Sequence, residues 1–232
     1  MITLAYGVPG AGKSTLLHDL VRAQADLHLF FVNDHEAGWG QDAVHWRGKP
    51  PPLTLVETEG ELETLEQRPA DEWPASGVYV FRHLEANRIV ALLVAKGNGV
   101  YVDDELDLLA RRQGWETSPL RTVVHQGRHA LNEEGVPTTL HLYGACRRPQ
   151  NLHTDVSSLA DEVYMFRLQG KNTLKRCVDD NFLEEEQWEL VRTLPKFEFI
   201  HWPSGKHLAL APIGDGKAAP REPLQGTASE DT

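Results

Sequence analysis

The chain has 232 residues, 41% of them hydrophobic and 25% charged, which suits a single α/β domain with a substantial core. Its net charge of −11 argues against a broad nucleic-acid-binding face and leaves room for a local basic patch only. Two cysteines make no disulfide framework, and no apolar run reaches the roughly 20 residues of a membrane helix, so a cytoplasmic setting without membrane insertion is expected.

Residues 1–6 read as a short buried strand that enters the chain with no leader. Gly7-Val8-Pro9-Gly10-Ala11-Gly12-Lys13-Ser14-Thr15 follows directly and fits G-x-x-x-x-G-K-[ST], the phosphate loop. Gly7, Gly10 and Gly12 let the backbone approach a ligand closely, and the loop's N–H groups converge on phosphate at the start of a helix. The expected nucleotide contacts are Gly7, Pro9, Gly10, Ala11, Gly12, Lys13, Ser14 and Thr15. Lys13 reaches the β- and γ-phosphates of ATP, and the Ser14 hydroxyl holds Mg²⁺.

A helix over residues 15–24 carries the apolar stripe Leu16, Leu17, Leu20 and Val21. Residues 27–33 form a second buried strand that ends in Asn33-Asp34-His35-Glu36. There Asp34 or Glu36 could reach the ligand crevice, although a solvated turn is the expectation. His18, His28 and His45 are read as surface or packing residues rather than metal ligands. Residues 37–76 are mostly loop, with a short strand at 53–56. An acidic helix starts at Thr58, which has capping-box spacing to Glu61.

A third strand at 78–81 and a helix at 85–96 precede Val100-Tyr101-Val102-Asp103-Asp104-Glu105. A strand ending in acids supplies the second half of an ATPase site. Asp104 is assigned to Mg²⁺ and Glu105 to the attacking water, with the register Asp103–Asp104 left open. Ser118-Pro119 starts a helix expected to run to about residue 132. It places Arg121, His125, Arg128 and Asn132 on one face, where Arg128 could act as an arginine finger on a neighbouring subunit.

A strand at 138–144 leads to Arg147, which is placed to sense the γ-phosphate. A short helix at 156–160, a strand at 162–168, a helix at 181–194 and a β-hairpin (197–202 with 207–212) complete the expected domain, residues 1–212. Residues 213–232 are rich in Gly, Ala, Pro, Ser and acids and read as a disordered tail. The fold class is therefore α/β, a P-loop NTPase with a central, mostly parallel sheet flanked by helices.

An extra strand before the Asp-Glu strand, and a polar strand after it, match the additional-strand, catalytic-glutamate branch of these ATPases. At Gly127-Arg128-His129, Arg147-Arg148-Pro149 and Phe166-Arg167-Leu168 the chain resembles the HerA–FtsK superfamily across residues 1–170. The likeness is to the genome-packaging ATPases of tailless icosahedral viruses and the zonular occludens toxin-like assembly ATPases of filamentous phage. The resemblance implies a pentameric or hexameric ring that moves double-stranded DNA through its channel. It also implies docking on a capsid vertex or portal-like protein, in the host cytoplasm or on the virion. Arg147 stands where many relatives have a glutamine sensor. Lys171, Lys175 and Arg176 are candidate channel residues, with a solvated turn as an equal alternative for that segment. The alternatives are an assembly or secretion ATPase, or a slowly hydrolysing switch.

Overall fold

The computed structural model describes residues 1–111, 113–127, 130–131 and 137–210. Arg128, Asn132 and the proposed tail at 213–232 lie outside them. In chain order the strands are β1 (Ile2–Tyr6), β2 (Leu29–Asp34), β3 (Leu53–Val56), β4 (Gly77–Arg82), β5 (Gly99–Asp103), β6 (Ala130–Leu131), β7 (Pro137–Thr138), β8 (Leu140–Cys146), β9 (Glu162–Phe166), β10 (Glu198–Trp202) and β11 (Lys206–Ala209). The α-helices are α1 (Lys13–Gln24), α2 (Glu59–Glu66), α3 (Ala86–Lys96), α4 (Leu106–Leu109), α5 (Pro119–Gln126), α6 (Thr154–Ser158), α7 (Lys171–Asp179) and α8 (Trp188–Thr193).

Nine strands form one sheet in the order β11-β10-β9-β1-β8-β5-β2-β4-β3. From β9 to β3 every neighbouring pair is parallel, and β10 and β11 add an antiparallel hairpin at the β9 edge. The expected α/β architecture is present. Parallel strands bury both faces, which is why they read as continuous apolar runs. The strand period of two sorts those runs between two cores. Ile2, Leu4, Tyr6, Leu29, Phe31 and Tyr101 face the core built with α3, α5 and α7. Ala5, Phe30, Val32, Val100, Val102 and Tyr143 face α1 and the segment carrying Trp39 and Trp46.

Strand β8 lies between β1 and β5, so the phosphate-loop strand and the acidic strand flank the strand that delivers Arg147. Their C-terminal ends share one edge of the sheet, the edge where ligands of such sheets bind. The Thr58 capping box forms as expected, with Glu61 returning a carboxylate to the Thr58 backbone N–H at 3.0 Å.

Two expected helices are corrected. The helix from Ser118 ends at Gln126, and Ala130–Leu131 instead pairs antiparallel with Pro137–Thr138, so the four-residue polar face does not extend along one helix. The expected helix at 181–194 shrinks to α8 preceded by a 3-10 turn at Glu185–Gln187, because Asn181 turns left-handed (φ 59°) and Phe182 and Leu183 are buried as irregular chain. In its place α7, which the sequence reading left unassigned, buries Leu174 and Cys177. No helix among the described residues is long and apolar enough to cross a membrane.

Candidate active site

Strand β1 hands the chain to the phosphate loop between the ends of its two neighbours. Gly7 N donates to the Cys146 carbonyl (3.2 Å) and Val8 N to the Arg167 carbonyl (3.0 Å). The loop needs its glycines for closeness as well as for conformation. Gly12 has φ 122°, and a Cβ there would stand 2.8 Å from the Phe197 ring. Phe197 N in turn donates to the Ala11 carbonyl at 2.8 Å, so the lead-in to the C-terminal hairpin braces the loop from outside. Sequence reasoning placed Phe197 inside a strand. The residue instead takes φ 70° just before β10.

Lys13 opens α1 and is only 7% exposed. Its Nζ donates to the Val8 carbonyl at 3.1 Å, curling the ammonium back over the loop. Burial lowers its pKa, and the nearby Asp104 opposes that shift.

The three acids after Val102 have different surroundings. Asp103 is fully buried. Its carboxylate accepts from the Tyr101 hydroxyl (2.8 Å), Asn33 Nδ2 (3.0 Å) and Glu105 N (2.8 Å), with His35 Nε2 at 3.1 Å. That hydrogen bond raises the His35 pKa against the opposing effect of burial. Asp104 points the other way. The Ser14 hydroxyl hydrogen-bonds its carboxylate, while its Oδ1 is buried with no hydrogen-bond partner. Burial raises the Asp104 pKa, outweighing the Ser14 hydrogen bond and the Lys13 charge that oppose it. Glu105 caps this arrangement with an ion pair to Arg147 Nη2 at 2.5 Å, and the same guanidinium nitrogen lies 3.4 Å from Glu36.

Lys13, Ser14, Asp104, Glu105 and Arg147 line one cavity of about 500 Å³, together with Pro9, Gly10, Gly12 and Thr15 of the loop. Gly7 and Ala11 hold the loop from behind, in contact with β8 and the hairpin lead-in. Arg128 lies outside the described residues. Lys171 and Lys175 are exposed on α7, but Arg176 is turned inward to Asp180 (2.7 Å) and Ser157 (2.7 Å) and does not face solvent.

Asp34 and His18 were under-read in the sequence. Asp34 is no solvated turn residue. It is 2% exposed and gathers Arg82 Nε (2.8 Å), Gly38 N (2.8 Å) and Trp39 N (3.3 Å), which ties the chain after β2 down beside the cavity. His18 is fully buried, stacked on Trp39 at 3.7 Å and edge-on to Trp46 at 4.4 Å. Its two ring nitrogens lie 2.7 Å from the Ser14 carbonyl of α1 and 3.0 Å from the Gly38 carbonyl; the neutral ring has one N–H to donate between them, and with the tryptophan stacking it holds the chain after β2 against α1. Desolvation pushes its pKa down to about 4.

No protein-family model matches the chain, and no curated protein is a match. Solved structures do match. The genome packaging NTPase B204 from Sulfolobus turreted icosahedral virus 2, in complex with sulfate, aligns with a TM-score of 0.64 at 20% identity, covering 91% of this chain and 96% of that one. The same protein in complex with ATP-gammaS aligns at 0.63 and 19% identity, covering 91% and 97%. VirB4 of Thermoanaerobacter pseudethanolicus aligns at 0.58 and 12% identity, covering 94% and 89%. The chain shares the fold of these NTPases over nearly their whole length.

Proposed function

We propose that this chain is an ATPase that translocates double-stranded DNA as a ring-forming motor, in the manner of a viral genome-packaging ATPase. The observation that carries the reading is the single cavity in which a phosphate loop, an acid pair and an arginine converge from three neighbouring strand ends. The fold shared with B204 supports it.

The residues present fit a divalent cation. The orphaned buried Oδ1 of Asp104, beside the Ser14 hydroxyl, is an anionic acceptor that the protein itself leaves unanswered. Ser14 and Asp104 would therefore hold Mg²⁺, which when bound offsets charge on the β- and γ-phosphate oxygens. The loop N–H groups orient the triphosphate, and Lys13 exchanges the Val8 carbonyl for phosphate oxygens. Asp103, saturated with protein donors, positions the acid pair without touching substrate. Glu105 is the base. Water attacks the γ-phosphorus, its proton passes to Glu105, and the bond to the β–γ bridging oxygen breaks to give ADP and inorganic phosphate. Arg147, which lines the same cavity, senses the γ-phosphate. Arg128 serves a neighbouring subunit as a finger.

In this reading the ring is a pentamer or hexamer, docked on a capsid vertex or portal-like protein in the host cytoplasm or on the virion. ATP hydrolysis measured with and without linear duplex DNA tests it. Stimulation of severalfold or more is the expected outcome. Turnover indifferent to DNA would point to a phage assembly or secretion ATPase, and negligible turnover to a switch.

A further inference from the structure

A second cavity lies on the other side of the phosphate loop. It has a volume of about 610 Å³ and backs onto Val8 and Pro9. Its polar lining includes Arg147, Arg148, Gln150, Gln169, Lys171 and Asn172, and no carboxylate lines it. Thr173 Oγ1 donates to Gln150 Oε1 at 3.0 Å and braces α7 against the turn that follows β8. Arg148 and Lys171 are exposed and have no carboxylate partner among the described residues. The same is true of Arg167, just past β9, and of Lys175, one turn along α7. In a chain with 34 acidic and 23 basic residues, an acid-free run of cations beside the active site stands out.

We propose that this groove binds the phosphodiester backbone of a nucleic acid, and that Arg147, which lines both cavities, ties its occupancy to the state of Glu105. The proposal rests on the ATPase reading of the first cavity. A site for one small oxyanion concentrates buried donors on a point. Here the cations are exposed and continue beyond the groove, which suits a polymer with regularly spaced charges. Glutamine and asparagine supply the neutral donors that accompany Arg and Lys on phosphate. The Arg147 guanidinium sits on Glu105 at 2.5 Å and occupies the carboxylate needed as base. A backbone phosphate in the groove competes for that guanidinium. Drawn toward it, Arg147 frees Glu105 to accept the proton of water. Arg147 is in this sense a positioning residue.

The test uses a fluorescently labelled duplex, the full chain, and the variants Arg148→Gln/Lys171→Gln and Arg147→Gln, each first shown to bind a non-hydrolysable ATP analogue. The wild type is expected to bind duplex with an affinity that falls steeply with salt. The double variant should bind about tenfold more weakly at moderate salt, with a salt slope lower by about 2. Duplex binding unchanged in the double variant overturns the groove. So does displacement of the duplex by inorganic phosphate at matched ionic strength, which would mark a single-oxyanion site. For the latch, the ratio of hydrolysis with and without duplex should fall to about one in Arg148→Gln/Lys171→Gln, whose hydrolysis without duplex stays at the wild-type rate, and in Arg147→Gln at whatever rate that variant keeps. A wild-type ratio in either, or loss of hydrolysis by the double variant in both conditions, overturns it. A wild type that hydrolyses ATP yet ignores duplex refutes this inference alone, whereas one that binds no nucleotide refutes the ATPase reading itself.

Discussion

Three consecutive acids, Asp103, Asp104 and Glu105, sit in three environments, and those environments separate their roles. Asp103 is surrounded by donors from Tyr101, Asn33 and the Glu105 backbone. Asp104 keeps a buried oxygen without a partner, and Glu105 is paired across the cavity with Arg147. Burying a carboxylate with one oxygen unpartnered costs stability, so in the proposed metal-holding role function and stability pull apart at this position. Asp104→Asn should raise the urea midpoint of the nucleotide-free protein while lowering Mg²⁺-dependent turnover by about a hundredfold or more. An unchanged midpoint would mean that the empty site does not strain the fold. The acid-bearing strand was legible because it follows a phosphate loop in the expected order. Which two of the three acids face the ligand was not legible, since that depends on Asn33, 70 positions away.

The same limit holds for whole elements. Apolar runs and caps located β1, β2, α1, α3 and the acidic strand, because those signals are local. The segment after β2 was opaque, because Trp39 and Trp46 are fixed by contact with His18 on α1 rather than by their own neighbours. The α5 helix was overextended, because its periodicity runs on while Ala130–Leu131 pairs instead with Pro137–Thr138. The His18 clasp has a pH signature. In the unfolded chain its ring takes a proton near the ordinary 6.5, whereas in the folded chain it does so only near 4. Between those values the unfolded state holds more protons, so the His18 contribution falls as pH is lowered from 6.5 toward 4, by at most about 3 kcal/mol. His35 acts in the opposite sense: its raised pKa gives a contribution present below 6.5 and lost as pH rises through the folded value. Urea unfolding at pH 7 and pH 5 should show a smaller loss in His18→Gln than in the wild type. An equal loss in both proteins would remove His18 as the cause.

At the scale of the molecule, the sheet order places the two halves of the site on either side of β8, and the hairpin β10–β11 closes the sheet beyond β9. The class of sheet could be read from the alternation of strands and helices. The bracing of the phosphate loop by Phe197 could not, since it joins residues nearly 190 positions apart. Strong overall acidity and a local cationic groove coexist because Arg147, Arg148 and Lys171 line a groove whose lining includes no carboxylate. If subunits complete one another's sites through Arg128, light scattering with a non-hydrolysable ATP analogue should give a mass of five or six chains. Arg128→Ala should then hold nucleotide yet lose about a thousandfold or more in turnover. A monomer with full activity would place the whole site within one chain.

A hydrolytic pocket made jointly by the phosphate loop and the acid pair is tested by comparing ATP binding with steady-state hydrolysis in two variants. Lys13→Ala should weaken ATP binding by roughly ten- to a hundredfold, the loss of a charge-assisted contact. Glu105→Gln should bind ATP as tightly as the wild type and hydrolyse it about a hundred to ten thousand times more slowly. Glu105→Gln turning over at the wild-type rate would contradict the joint pocket.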